Sequence, residues 1–252
     1  LAPDTLAAAL TSYLGDRDPT PVICAGSRFL PPSGFAAVPT APLAGIAEIQ
    51  GAGPKIRLLA LPGLRQEKPL GIMQGAETMI AGLLAQKPNF DGISLTIGAS
   101  TAWAQISAGE VVSFQSFLTP ELGETVADRI GATPSASQAL DDSAFNDAVD
   151  AMLSRPQNFG AVLAEIQAAA SMDVLTAKDR YARLAGSLIG IELSAARPYW
   201  LGQQVAIIGA APLAPLYDRA LQSQGVQAQM HDSHQMIQAG LTAAFARYKS
   251  ET

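Results

Sequence analysis

Apolar positions switch between helical and strand-like spacing along this chain. Behind Asp4, a residue type that caps helices, Leu6, Leu10, Tyr13 and Leu14 recur at helical intervals until Pro19 and Pro21 stop them. The apolar run from Val22 to Gly26 predicts a short buried strand. Pro31 to Pro54 is rich in Pro, Gly and Ala, has little periodicity and reads as a loop. It feeds a second strand, Lys55 to Leu61, that breaks at Pro62-Gly63. Gln74 to Gln86 returns to helical spacing through Ile80, Leu83 and Leu84 and ends at Lys87-Pro88-Asn89.

From Gly92 the period falls to two. Ile93, Leu95 and Ile97 predict a strand, Gly98-Ala99-Ser100-Thr101 a turn, and Trp103 to Phe117 a strand pair folded at Ala108-Gly109-Glu110. Thr119-Pro120 reads as an N-cap followed by a first-turn proline, opening a helix that closes at Gly131. Two further helices carry Phe145, Val149, Met152 and Leu153, and Tyr181, Leu184, Leu188 and Ile191. The chain closes on a β-α-β-α unit. Its strand is Gln204 to Gly209, its helix Pro212 to Gln222 and its second strand Val226 to Met230; a final helix from Ser233 has Met236, Ile237, Leu241 and Phe245 on one face. The class is mixed α/β, in two lobes, 1–88 and 89–252.

Composition narrows the function classes. With 252 residues, 48% hydrophobic and 15% charged, the chain is long and apolar enough to bury a core without staples, which excludes disorder and coiled coil. Its 16 Lys+Arg are scattered and outnumbered by 22 Asp+Glu, so no basic footprint for nucleic acid is present. The lone Cys24 lies in an apolar run and reads as a buried inert thiol, which fits a reducing cytoplasm. The charge-free stretch from Phe29 to Ala47 is broken by Pro31, Pro32, Pro39 and Pro42, so no membrane span is expected. A small-molecule substrate is the expected partner, and the low charge is compatible with a homodimer.

Few segments carry candidate chemistry. The Gly98 to Thr101 turn offers N–H groups and hydroxyls in a concavity suited to anions, or is an ordinary tight turn of small residues. The same residues approach a G-x-S-x-G nucleophile elbow, with Ser100 as nucleophile and Asp218 and His231 or His234 downstream, but that motif needs a helix after the serine where this pattern alternates as strand. Gly209-Ala210-Ala211-Pro212 joins a strand to a helix and would let a nucleotide approach the backbone, as would many plain turns. Glu77 opens a helix, where a carboxylate is either a base or a dipole partner. Glu192 ends the apolar run Leu188-Ile189-Gly190-Ile191 and gains interest if buried. The pair His231 and His234 lacks a third spaced ligand, so no metal is assigned.

Taken in order, these segments resemble the 2-dehydro-3-deoxygalactonokinase family of the actin-like sugar kinases. The stretches that carry the resemblance are Pro21 to Gly26, Leu61 to Leu64, Ile72-Met73-Gln74-Gly75-Ala76-Glu77-Thr78, Gly98 to Trp103, Phe117 to Leu122, Leu188 to Glu192, and Gly209 through Tyr217 into Gln238-Ala239-Gly240. The resemblance implies a two-lobed actin-like, ribonuclease H-like fold. It further implies transfer of phosphate from ATP, with Mg2+, to the terminal hydroxyl of a 2-keto-3-deoxy sugar acid in galactonate breakdown. Two hairpins then cradle the phosphates across a cleft between lobes. On that reading Glu77 is the base, Gly98, Ser100 and Thr101 bind phosphate, and Gly209 and Ala210 lie near the nucleotide.

The chain departs from the family pattern in ways that bear on charge. The family's N-terminal Asp-bearing phosphate hairpin has no counterpart, so the first lobe is expected to be truncated by about 40 to 50 residues, the size of a hairpin and its connection. The family's Met-Arg-Gly-Glu-Glu reads Met73-Gln74-Gly75-Ala76-Glu77 here, and the His and Lys of its second hairpin are absent around Gly98 to Ala102. The family's Gly-Thr-Ser reads Gly209-Ala210-Ala211. Phosphoryl transfer depends on positioning and charge neutralisation, so these losses also support a second expectation, a catalytically weakened relative that binds a sugar acid or a partner. Part of the low charge is then an emptied site.

Overall fold

The computed structural model describes residues 3–10, 13, 19–26, 34–50, 54–133 and 140–251. Two compact units emerge: Leu1–Asp91, Ala104–Phe114 and Asp232–Thr252 form the first, and Gly92–Trp103 with Gln115–His231 form the second. The chain first leaves the first unit close to residue 89, where the expected division into 1–88 and 89–252 falls, and the hairpin tip and the last helix group with the first unit.

The first unit opens with α1 (Pro3–Leu10) and β1 (Thr20–Cys24). Leu14 and the side chains of Asp4 and Leu6 lie outside the described residues, so the expected cap is not among the observations. The stretch expected to be a loop contains two short strands, β2 (Ala36–Ala37) and β3 (Ala47–Ile49), ahead of β4 (Ile56–Ala60). After Pro62-Gly63 come β5 (Leu64–Gln66), β6 (Gly71–Met73) and α2 (Ala76–Gln86). β1 runs parallel to β4 with Val22 beside Leu58, and β3 pairs antiparallel on the other edge. Ile56 and Leu58 are buried there against Leu10, Val22, half-buried Cys24 and Ile49. A second sheet orders β2, β5 and β6. Buried Gln66 holds Phe114 by accepting its N–H and donating to its carbonyl, both at 2.9 Å.

In the second unit β7 (Gly92–Ile97) is buried throughout. It is followed by β8 (Thr101–Ser107) and β9 (Glu110–Phe117), each shared between the units. The helices are α3 (Thr119–Ala127), α4 (Asp142–Ser154), α5 (Phe159–Ser171), α6 (Ala177–Ala195), the single turn α7 (Arg197–Trp200) and α8 (Leu213–Ser223), with β10 (Val205–Gly209) before α8 and β11 (Gln229–Asp232) after it. The five-stranded sheet has the order β11-β10-β7-β8-β9, with β10 parallel to β7. Its core joins Leu95, Trp103, Phe145, Val149, Ile207 and Tyr217. Helix α6 starts at a capping box in which Thr176 and Asp179 satisfy each other's backbone N–H.

Three local expectations change. Helix α3 begins at Thr119 itself, with apolar Leu118 in the cap position and no side-chain cap bond, and the Thr119 hydroxyl turns instead to Glu192. The last strand starts at Gln229 instead of Val226, since Val226 donates its N–H to Leu221 and packs into the core. The chain ends in α9 (Ser233–Glu251), whose buried face is Met236, Gly240 and Ala244, leaving Ile237 and Phe245 exposed. Small residues decide that rotation: a Cβ on Gly240 would stand 2.0 Å from the Thr78 carbonyl, and one on Gly82 of α2 would stand 2.0 Å from that of Met236. Contact that close is open only to glycine. Among the described residues no helix is long and apolar enough to cross a membrane.

Candidate functional site

Two turns of the second unit lie at the same ends of paired strands. Parallel register sets Ile208 of β10 beside Thr96 of β7, so the Gly98 turn and the Gly209 turn both leave the sheet at carboxyl ends, where open α/β sheets bind ligands. Gly209 is buried, and a Cβ there would come within 3.0 Å of Ala214 and 3.1 Å of Ile97. Glycine therefore lets strand β10 turn directly into α8. Ala210 and Ala211 are exposed.

The first turn divides into an outer and an inner part. Gly98, Ala99 and Ser100 are exposed, and the Gly98 N–H donates to the Ser100 carbonyl at 3.0 Å. Thr101 is fully buried, and its hydroxyl donates inward to Glu192 Oε1 at 2.7 Å. The Gly98 N–H is thus engaged, and exposed Ala99 and Ser100, the latter with its hydroxyl, are the turn residues left to meet an anion.

Glu192 gathers four donors in the interior. At 1% exposure its carboxylate accepts from Thr101, from Trp103 Nε1 at 2.8 Å on the same oxygen, from Tyr217 Oη at 2.7 Å on the other, and from the Thr119 hydroxyl. Burial pushes its pKa up, and the hydrogen bonds pull it back. Burial and the neighbouring carboxylate hold the Tyr217 hydroxyl well above the usual phenol range, so it stays a donor. The pattern alone flagged Glu192 only as an acid in an apolar helix; Thr119, Trp103 and Tyr217 gave no sign of converging on it. A single charged residue inside an apolar helical run was the available signal.

Beside this cluster lies an apolar cavity of about 220 Å³, walled by Thr119, Tyr181, Leu188, Pro212, Leu213 and Tyr217. Two of Glu192's partners thus line it, and Pro212 follows directly on the Gly209-Ala210-Ala211 turn.

Glu77 stands in the first unit in the first turn of α2 and is fully buried. Its Oε1 accepts from the Thr78 hydroxyl at 3.2 Å, and the carboxyl also takes the backbone N–H groups of Glu77 and Gly75, whereas Oε2 has no partner among the described residues. Desolvation dominates and raises its pKa to about 7, against the lowering effect of those donors.

The hydrolase elements do not assemble. Strand β8 starts at Thr101, so no helix follows Ser100 and the nucleophile-elbow geometry is absent. Asp218 Oδ2 accepts from Gln222 along α8, and Asp232 caps α9 by accepting the Gln235 N–H at 2.9 Å. Among the described residues no three His, Cys, Asp or Glu side chains gather as a metal site.

The chain is similar to proteins assigned as kinases. A Sinorhizobium meliloti protein assigned as a 2-dehydro-3-deoxygalactonokinase and solved by crystallography superposes with a TM-score of 0.81 at 27% identity, over 95% of this chain and 83% of its own. A Rhizobium meliloti (strain 1021) protein assigned as the 2-dehydro-3-deoxygalactonokinase DgoK1 is 29% identical over 213 residues, 80% of this chain and 70% of its own. The actin-like sugar kinase fold expected from the motifs is therefore the observed one. A model of the 2-keto-3-deoxy-galactonokinase family matches residues 2–244, and the chain belongs to that family.

Proposed function

We propose that the protein phosphorylates the terminal hydroxyl of 2-dehydro-3-deoxy-D-galactonate with Mg-ATP, a step of galactonate breakdown, in the cytoplasm. The observation that carries this reading is the pair of adjacent turns at the carboxyl ends of β7 and β10 with an apolar cavity alongside. That combination fits a nucleotide. The flat base enters the cavity by Pro212 and Leu213, Gly209 and Ala210 admit the backbone close to the nucleotide, and Gly98 with Ser100 meets the phosphates. Magnesium bound to the nucleotide would supply neutralisation of the phosphate charge.

Glu77 serves as the general base. With its pKa raised to about 7 by burial, it is partly ionised at neutral pH, and its second oxygen is buried with no partner among the described residues, so one acceptor position is unfilled. The acceptor hydroxyl gives its proton to Glu77 while its oxygen bonds to the γ-phosphorus. The bond from that phosphorus to the bridging oxygen breaks, and ADP leaves.

Incubation with Mg-ATP and the sugar acid, followed by ADP release, tests the reading. Release above the blank is the expected result. No turnover from this chain, or from one extended at its N-terminus to the length of its relatives, overturns it.

A second reading rests on a specific observation: the turn from Gly98 to Ala102 holds no cation, and Gln74 and Ala76 replace charged residues of the family pattern. A weakened relative would bind the sugar acid without transferring phosphate. Thermal stabilisation by the sugar acid alone, with no ADP release, would favour it.

A further inference from the structure

We propose that Glu192 is the positioning residue that sets the phosphate turn in register with the nucleotide cavity of the second unit; this rests on the kinase reading above. Three of its four donors belong to the parts that reading uses. Thr101 ends the phosphate turn, and Thr119 and Tyr217 wall the cavity from α3 and α8. Trp103, fully buried in β8, anchors the same carboxylate oxygen as Thr101. One carboxylate therefore ties together β8, α3 and α8, elements well separated in the chain: 91 positions divide Thr101 from Glu192 and 25 divide Tyr217 from it.

The helix that carries Glu192 is itself held at a fixed depth. A Cβ on Gly190 would stand 2.8 Å from both the Val149 carbonyl and the Met152 side chain of α4, so α6 seats directly on the α4 backbone there. Two residues on, about 200° around a helix of 3.6 residues per turn, Glu192 projects from nearly the opposite side. The helix thus presents the carboxylate from a backed position.

A carboxylate is a poor choice for packing alone. Burying a charge carries a desolvation penalty, and a well-packed apolar side chain would give equal or greater stability at such a site. What an acceptor-only group with two oxygens provides is geometry: all four neighbours must point their hydrogens at it. Loss of that group should loosen the turn and the cavity wall relative to each other, and nucleotide affinity should fall further than stability accounts for.

The test measures Mg-ADP affinity by calorimetry and thermal stability in parallel for the intact chain, Glu192→Gln, Tyr217→Phe and Val205→Ala. Glu192→Gln keeps the shape but must turn an amide toward donors. It should lose about tenfold in affinity, the effect of one or two charge-assisted hydrogen bonds. Tyr217→Phe should lose less while deleting a single donor. Val205→Ala trims the core at the amino end of β10, the end away from the Gly209 turn, and should lower the melting temperature with affinity unchanged, separating positioning from general destabilisation. Unchanged affinity in folded Glu192→Gln, or in Tyr217→Phe should the first variant not fold, overturns the positioning role and leaves the kinase reading intact. Absence of Mg-ADP binding by the unaltered chain overturns the kinase reading and the inference with it.

Discussion

Replacing Glu77 by glutamine should stabilise the protein at high pH and abolish its turnover at every pH. The carboxyl is fully buried and its pKa stands at about 7 in the folded state, against an ordinary value of 4.5. The folded chain therefore holds this proton more tightly than the unfolded chain. The stability it contributes is complete below about pH 4.5 and is lost as pH climbs towards 7. A displacement of that size corresponds to about 3 kcal/mol once the group is ionised. Glutamine cannot ionise, so the difference between Glu77→Gln and the unaltered chain should be near zero at pH 4.5 and grow to that figure by pH 8. Urea unfolding at four pH values, followed by far-UV circular dichroism, measures it. Fluorescence would mislead, because Trp103 and Trp200 both belong to the second unit, and the chain has only 2 tryptophans. Turnover should move the opposite way, since the amide takes no proton from the acceptor hydroxyl. A difference in stability that stays constant from pH 4.5 to 8 would refute the burial argument, and undiminished turnover would refute the role as base.

Other substitutions test the fold and the turn. Gly240→Ala forces a methyl into the Thr78 carbonyl and should destabilise the first unit by about 3 kcal/mol, seen as a lowered urea midpoint. Thr176→Ala removes the capping box of α6 and should cost about 1 kcal/mol in the same melt, without effect on nucleotide affinity. Ser100→Ala leaves the exposed turn folded, raises KM for ATP by about tenfold in the coupled ADP assay, and leaves the background hydrolysis of an ester substrate where it was.

Periodicity made the long elements legible. The buried strand β7, the hairpin folded at Gly109, and helices α2, α4 and α6 all follow from spacing, because each buries a continuous stripe of its own side chains. Strands β2, β3, β5 and β6 were not legible. Two or three residues cannot display a period, and their pairing is with distant segments: Ala36 pairs with Leu64, and Glu48 with Leu59. The rotation of α9 was misjudged for a related reason. Its seam against α2 is made by glycines, which add nothing to a hydrophobic pattern yet permit the closest approach. The same limit hid the inner half of the turn after β7. Gly98 to Thr101 could be recognised as a turn, but the partner of Thr101 lies 91 residues away.

Glu77 of the first unit and Glu192 of the second are both buried to within 1% of exposure, and their hydrogen bonds differ. Buried polar atoms in folded proteins are nearly always paired, so an orphan asks for an explanation. Glu192 has none: both oxygens are engaged by four side-chain donors, and it has no capacity left for a substrate. Glu77 does: one oxygen is engaged by nearby donors and the other by nothing among the described residues. A group that must take a proton from a ligand needs that open valence and a pKa near neutrality, whereas a group that holds other residues in place needs its valences filled. The two acids therefore sit in surroundings that differ in kind. On the proposed reading, Glu77 takes the proton and Glu192 holds the Gly98 turn and the cavity wall in place.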